Sequence, residues 1–182
     1  METSAGAPAN RYGGAHHGVL RIAGLASPFG IEDQARDVVA PGAFARSLAA
    51  RGPGGIRMLF QHDPGQPIGV WDVVREAERG LYVEGRLAAG SARAADIAAL
   101  LAAGAIDGLS IGFRTVKARR EAGNGARRLI EIDLWEVSVV TFPMQREARI
   151  ERIERLAATE RAPQQGSPLA AAMRLSAQRL AS

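Results

Sequence analysis

Ser110 lies in Gly108-Leu109-Ser110-Ile111-Gly112, a G-x-S-x-G arrangement whose glycines leave room for a polypeptide backbone to approach a hydroxyl nucleophile. A serine attacks a carbonyl only when a neighbouring base takes its proton, and histidine is the usual base near neutral pH. The three histidines, His16, His17 and His62, all precede Ser110. That order excludes an α/β-hydrolase, whose base follows the nucleophile, and the residues after Gly112 continue as a strand instead of opening that fold's helix. Glu136 stands between Trp135 and Val137, in an apolar strand where a carboxylate is costly to bury without a partner. Plainer explanations stand beside each of these. Ser110 can be a strand serine bonded to a neighbouring carbonyl, His62 a structural residue before the Asp63-Pro64 turn, and Glu136 the partner of an arginine such as Arg114.

Other chemistries drop out. The chain has no cysteine, which removes disulfides, a catalytic thiol and cysteine-based zinc sites. His62-Asp63 is adjacent instead of at ligand spacing, and His16-His17 sits at a frayed end, so neither a metal nor a cofactor is expected. Lys117 is the sole lysine, and the arginines behind the net charge of +4 interleave with Asp and Glu. Such mixing belongs to a solvated surface more than to a nucleic-acid patch, and 5% aromatic residues offer little base stacking. No apolar run approaches the roughly 20 residues of a membrane span. The opening METSAGAPANRYGG has no signal-peptide core, so the chain is expected in a cytoplasm.

The elements that must position these residues are mostly strands. The 182 residues suit one domain, with residues 1–17 read as a disordered start, 18–156 as the folded domain and 157–182, rich in Ala, Gln, Pro and Ser, as a flexible tail. Strands are expected near 19–26, 37–39, 56–60, 68–75, 81–87, 109–118 and 128–141. One helix follows Pro41 with Phe44 and Leu48 at spacing four; a second is capped by Ser91, carries Ile97, Leu100 and Leu101 on one stripe, and stops at Gly104. After Pro143, interleaved Glu and Arg residues predict a charged surface helix. The Asn124-Gly125 cluster between two alternating runs predicts a hairpin. Leu109, Ile111 and Phe113 alternate with Ser110, Gly112 and Arg114, as Trp135, Val137 and Val139 do with Glu136 and Ser138. If the bulky sets face the core, Ser110 and Glu136 share the opposite face. A turn centred near Gly123 puts Ser110 across from Glu136, and a two-residue shift puts it across from Ser138.

Seven strings resemble, in order, the prohead maturation protease family of tailed phages: Ile22–Gly30, Asp37–Leu48, Met58–Pro64, Pro67–Asp72, Gly80–Leu87, Gly108–Phe113 and Leu134–Pro143, spanning about residues 19–150. The family is similar to herpesvirus assembly proteases, which implies a mainly β fold with α, a barrel of about six to seven strands wrapped by helices. The resemblance implies a serine endopeptidase in which His62 and Ser110 are the catalytic pair. The herpesvirus relatives use a second histidine as third member, and none follows His62 here. A carboxylate must then orient His62; Glu136 is the choice because the hairpin puts it near Ser110, with Asp63 and Asp107 as lesser candidates. Backbone N–H groups would hold the oxyanion, and Arg114 could assist.

The implied substrate and partner is a scaffolding protein or the N-terminal scaffolding segment of the major capsid protein, cut inside the assembling procapsid in the cytoplasm of a bacterial host. Self-cleavage commonly accompanies it; the tail 157–182 stands open between a self-cleavage site, a capsid-packaging segment and a plain linker, as does a homo-oligomer inside the procapsid. The gene would belong to a phage, a prophage or a gene transfer agent. The alternative is a non-enzymatic scaffold or interaction protein on the same fold.

Overall fold

In the computed structural model, residues 19–121 and 125–156 are described. They form β1 (Leu20–Pro28), β2 (Asp37–Val39), α1 (Ala45–Arg51), β3 (Arg57–Phe60), β4 (Asp63–Ala77), β5 (Gly80–Leu87), α2 (Ala92–Ala102), β6 (Gly108–Arg120), β7 (Arg127–Val140) and β8 (Arg149–Arg155). The hydrogen-bonded order is β2-β7-β3-β4-β5-β1-β8-β6, and β6 pairs back onto β7. Seven strands therefore close into a barrel, with β2 an extra parallel neighbour of β7. The expected barrel of six to seven strands with two helices is what forms.

The barrel forms because alternate residues of its strands are apolar. Ile22, Met58, Ile68, Leu81, Val83, Leu109, Leu134, Val137 and Val139 are all at most 1% exposed. α2 starts as its sequence predicts: the Ser91 hydroxyl accepts from Ala94 N–H, and Ala94, Ile97 and Leu101 face the core. Leu100, expected on that stripe, is instead 41% exposed. α1 begins after the turn holding Pro41, where the Glu76 carboxylate accepts from Gly42 and Phe44 N–H at 2.9 and 2.8 Å.

Two expectations need correction. The charged segment after Pro143 is not a helix: Arg149–Arg155 is β8, paired with β1 from Leu20↔Arg155 to Leu25↔Arg149. The spacing of Ile150 and Ile153 fits a helix, but β1 offers an unpaired row of backbone groups, and that tertiary pairing outweighs the local pattern. Nor does Trp135 face the core. Gly112 pairs with Glu136 and Phe113 with Leu134, leaving Trp135 as an extra residue on β7. This bulge reverses the side-chain parity, so Leu134 and Val137 are both buried while Trp135 is 48% exposed. The readings of residues 1–17, of the tail 157–182 and of the turn centred near Gly123 lie outside the described residues.

Candidate active site

Phe60 pairs with Asp63 across a two-residue turn made of Gln61 and His62. Both have positive φ, 54° and 60°, the combination a type I′ hairpin turn requires. Left-handed backbone costs a non-glycine residue roughly 1–2 kcal/mol, so other bonds must hold the turn. Gln61 N–H donates to Val139 O at 3.0 Å. The Gln61 side chain donates to Thr141 Oγ1 at 2.6 Å and accepts from Thr141 N–H at 3.3 Å. His62 N–H donates to Ser138 Oγ at 3.1 Å. The turn is thus fastened to the end of β7, and β7 carries the acid.

His62 Nδ1 and Glu136 Oε1 are 2.6 Å apart. Ser138 Oγ donates to the other carboxylate oxygen, Oε2, at 2.7 Å. Both acceptor atoms of the buried Glu136 are therefore engaged, which answers the desolvation its apolar strand imposes. With Nδ1 facing the carboxylate, Nε2 is the ring nitrogen left to exchange a proton elsewhere. Gly112 makes the arrangement possible, since a Cβ there would sit 2.1 Å from Glu136 Oε1. At the other end of the pentapeptide, a Cβ on Gly108 would meet Val140 O at 2.6 Å.

Ser110 pairs directly with Ser138 across β6 and β7, the second of the two registers the sequence allows. Ser138 is in turn bonded to both His62 and Glu136, so the four residues converge on one patch of the barrel. Beside Ser110 a cavity of about 130 Å³ opens, walled by Ala26, Leu109, Ile111, Phe113 and Met144 among others. At its rim Asp33 accepts from Ala35 and Asp37 N–H at 2.8 Å each, and burial pushes its carboxyl above the ordinary value. Asp37 pairs bidentately with Arg127 at 2.7 and 2.6 Å.

The remaining candidates are engaged elsewhere. Asp63 holds its own turn through Gly65 N–H and Gln66 Nε2, and Asp107 pairs with Arg149 at 2.8 Å. Arg114 meets Asp133 at 3.5 Å, not Glu136, because the Trp135 bulge separates them. His16 and His17 lie outside the described residues. Sequence reasoning missed Gln61 as a clamp and Ser138 as the link between His62 and Glu136. Parity placed Ser138 near Ser110, but nothing local told that its hydroxyl would serve two partners.

The barrel is that of viral assembly proteases. The capsid assembly protease of bacteriophage T4 superposes with a TM-score of 0.56 at 16% identity, covering 68% of this chain and 82% of that one. A KSHV protease bound to a hexapeptide phosphonate inhibitor does so at 0.51 and 12%, covering 72% and 63%. Residues 9–162 match the family described as caudovirus prohead serine protease, and the chain belongs to that family. It is 38% identical over 129 residues to the prohead protease of Enterobacteria phage HK97, covering 70% of this chain and 57% of that one. The prohead protease of Escherichia phage T5 is 31% identical over 135 residues, covering 72% and 61%. The chain thus spans about three fifths of the length of these relatives.

Proposed function

We propose that this chain is a serine endopeptidase that matures procapsids, with Ser110 as nucleophile, His62 as general base and Glu136 as the carboxylate that orients His62. The observation that carries the reading is the 2.6 Å contact between His62 Nδ1 and the buried Glu136 carboxylate, on a turn held in left-handed backbone and tied to Ser138, the residue opposite Ser110. A scaffold with no chemistry to perform has no use for a strained histidine aimed at a desolvated acid. In the reaction, His62 Nε2 takes the Ser110 proton as Oγ bonds to the peptide carbonyl carbon, and backbone N–H groups hold the oxyanion. His62 then protonates the leaving amine as the C–N bond breaks. Water, deprotonated by His62, bonds to the acyl carbon; the Ser110 Oγ–C bond then breaks as His62 returns the proton to Oγ, and Glu136 steadies the imidazolium in both halves.

The substrate is the scaffolding protein or the N-terminal scaffolding segment of the major capsid protein, cut inside the procapsid in the host cytoplasm, together with the protease's own chain. No helix among the described residues is long and apolar enough to cross a membrane. The test is co-expression with the cognate capsid and scaffolding proteins. Wild type shortens a capsid or scaffold band and Ser110→Ala leaves it full length, since losing such a nucleophile costs roughly 10⁶-fold in rate. Identical bands from the two would overturn the assignment and leave the non-enzymatic scaffold in its place.

A further inference from the structure

Among the described strands, only β1 pairs with β8 along its length. β8 runs beside β1 from Arg149 to Arg155 with Glu151 as an extra, bulged residue, whereas β6 reaches it at a single bridge, Gly108↔Arg149, extended by Ile150 N–H donating to Asp107 O at 2.8 Å. Past that point, no described strand pairs with β8 on its β6 side. The side chains show how open this edge is. Ile153 pairs with Ile22 and shares its face, yet Ile22 is 1% exposed and Ile153 41%. Leu156 beyond it is 40% exposed.

Backbone direction follows from one bond. Leu156 N–H donates to Val19 O, next to β1, so by alternation Glu154 and Arg152 also turn their amides to β1. Ile153 and Arg155 therefore present N–H and C=O to the open side. Such an edge, carrying exposed apolar residues, recruits another strand unless its charges forbid it. Here they favour one partner. Reversed about Ile153, the run Arg152-Ile153-Glu154 sets Arg opposite Glu on both sides and Ile153 opposite itself, while Glu151, the extra residue of a β8 bulge, is already paired with Arg79 at 3.1 Å.

We propose that this edge binds the same edge of a second copy of the chain, antiparallel and two-fold, with Ile153 on the axis. The two Ile153 residues exchange a pair of N–H···O bonds. Arg152 of each copy faces Glu154 of the other. The outer face already holds Arg152 against Glu84 and Glu154, at 3.4 and 3.2 Å, and the pairing extends that network across the axis. Neighbouring registers fail: an axis on Arg152 or Glu154 opposes each to itself and centres on an amide that faces β1, and an axis between two residues sets an amide facing β1 opposite one facing the open side. An axis between Glu151 and Arg152 also matches charges, but it needs the edge at Arg149 and Ile150 that β6 and Asp107 already occupy.

Sedimentation of the full 182-residue chain over a concentration series tests this, the mass rising from 19.2 kDa toward twice that value. Ile153→Pro removes both axial bonds while sparing the amides that face β1, and raises the dimer dissociation constant about tenfold or more with an unchanged circular dichroism spectrum. Glu154→Arg and Arg152→Glu each stay monomeric alone and form a heterodimer when mixed in equal amounts, an outcome that misfolded variants cannot produce. A chain that stays monomeric throughout, a dimer indifferent to all three substitutions, or mixed variants that do not associate would overturn the proposal. So would an Ile153 amide protected from exchange in the monomer, which would mean that a segment of the same chain fills the edge.

Discussion

The Glu136 carboxylate lies across the bare Cα of Gly112, so close that a methyl group at residue 112 would sit 2.1 Å from Oε1. The second glycine of the G-x-S-x-G pentapeptide thus makes room for the acid. Gly112 has ordinary extended backbone in β6, so Gly112→Ala strains no dihedral and acts through that contact alone. Its expected outcome is a folded protein with capsid processing lowered by at least about 10²-fold, the order seen when a catalytic group is misplaced by about 1 Å. Gel-band kinetics checks it, and wild-type rates in the alanine variant would mean that Glu136 can move without consequence.

Glu136→Gln keeps the shape of the side chain but removes the negative charge that faces His62 Nδ1 at 2.6 Å. An amide can present its NH₂ to that nitrogen and select the wrong tautomer. Turnover should fall by about 10³–10⁴-fold while substrate binding changes little. Single-turnover cleavage measures it; activity close to wild type removes Glu136 from the catalytic set and leaves Ser110 and His62 untouched.

Ser138 is fully buried and its hydroxyl serves both Glu136 and the His62 amide. Ser138→Ala leaves the buried Glu136 Oε2 and the part-buried His62 N–H short of a partner, at a cost of about 1–3 kcal/mol. For a chain of this size each kcal/mol lowers Tm by about 2–4 °C. Catalysis should drop further than the stability loss explains, because the turn that carries His62 loses its tie to β7. Equal activity per folded molecule would make Ser138 a packing residue only.

Asp133 accepts from Trp135 Nε1 at 3.0 Å and from Arg51 at 2.7 Å, and these two bonds hold its carboxyl below the ordinary value of 3.8. A carboxyl lowered on folding contributes stability that is present above the unfolded value and lost as pH falls through the folded one. Asp133→Asn should therefore melt below wild type near about pH 6 and converge with it below about pH 3, the gap shrinking in high salt because the site is exposed. Thermal melts across that range decide it. A gap constant with pH would point to packing instead of charge.

The strand-rich make-up and the candidate site residues could be named along the chain, while the barrel came from the family resemblance. Ser91 at its cap, the glycines around Ser110 and the alternating apolar runs of β5, β6 and β7 act over a few neighbours, and these local preferences agree with the final fold. Glu136 was visible too, as a charge that an apolar strand could not carry alone. Three features depend on through-space partners that no local pattern encodes. Arg149–Arg155 reads as a helix until β1 offers it a backbone ladder. Ser138 stands opposite Ser110 because the register set beside the turn, Arg120↔Arg127, is carried one residue further by the extra residue Trp135, which also reverses parity and parts Arg114 from Glu136. Gln61 and His62, with neither an Asn nor a Gly between them, become a left-handed turn only because Val139, Thr141 and Ser138 accept or donate the bonds that hold them there. Short-range sterics chose the strands, and the closure of the barrel, which sets one strand's end against another's middle, decided which atoms meet.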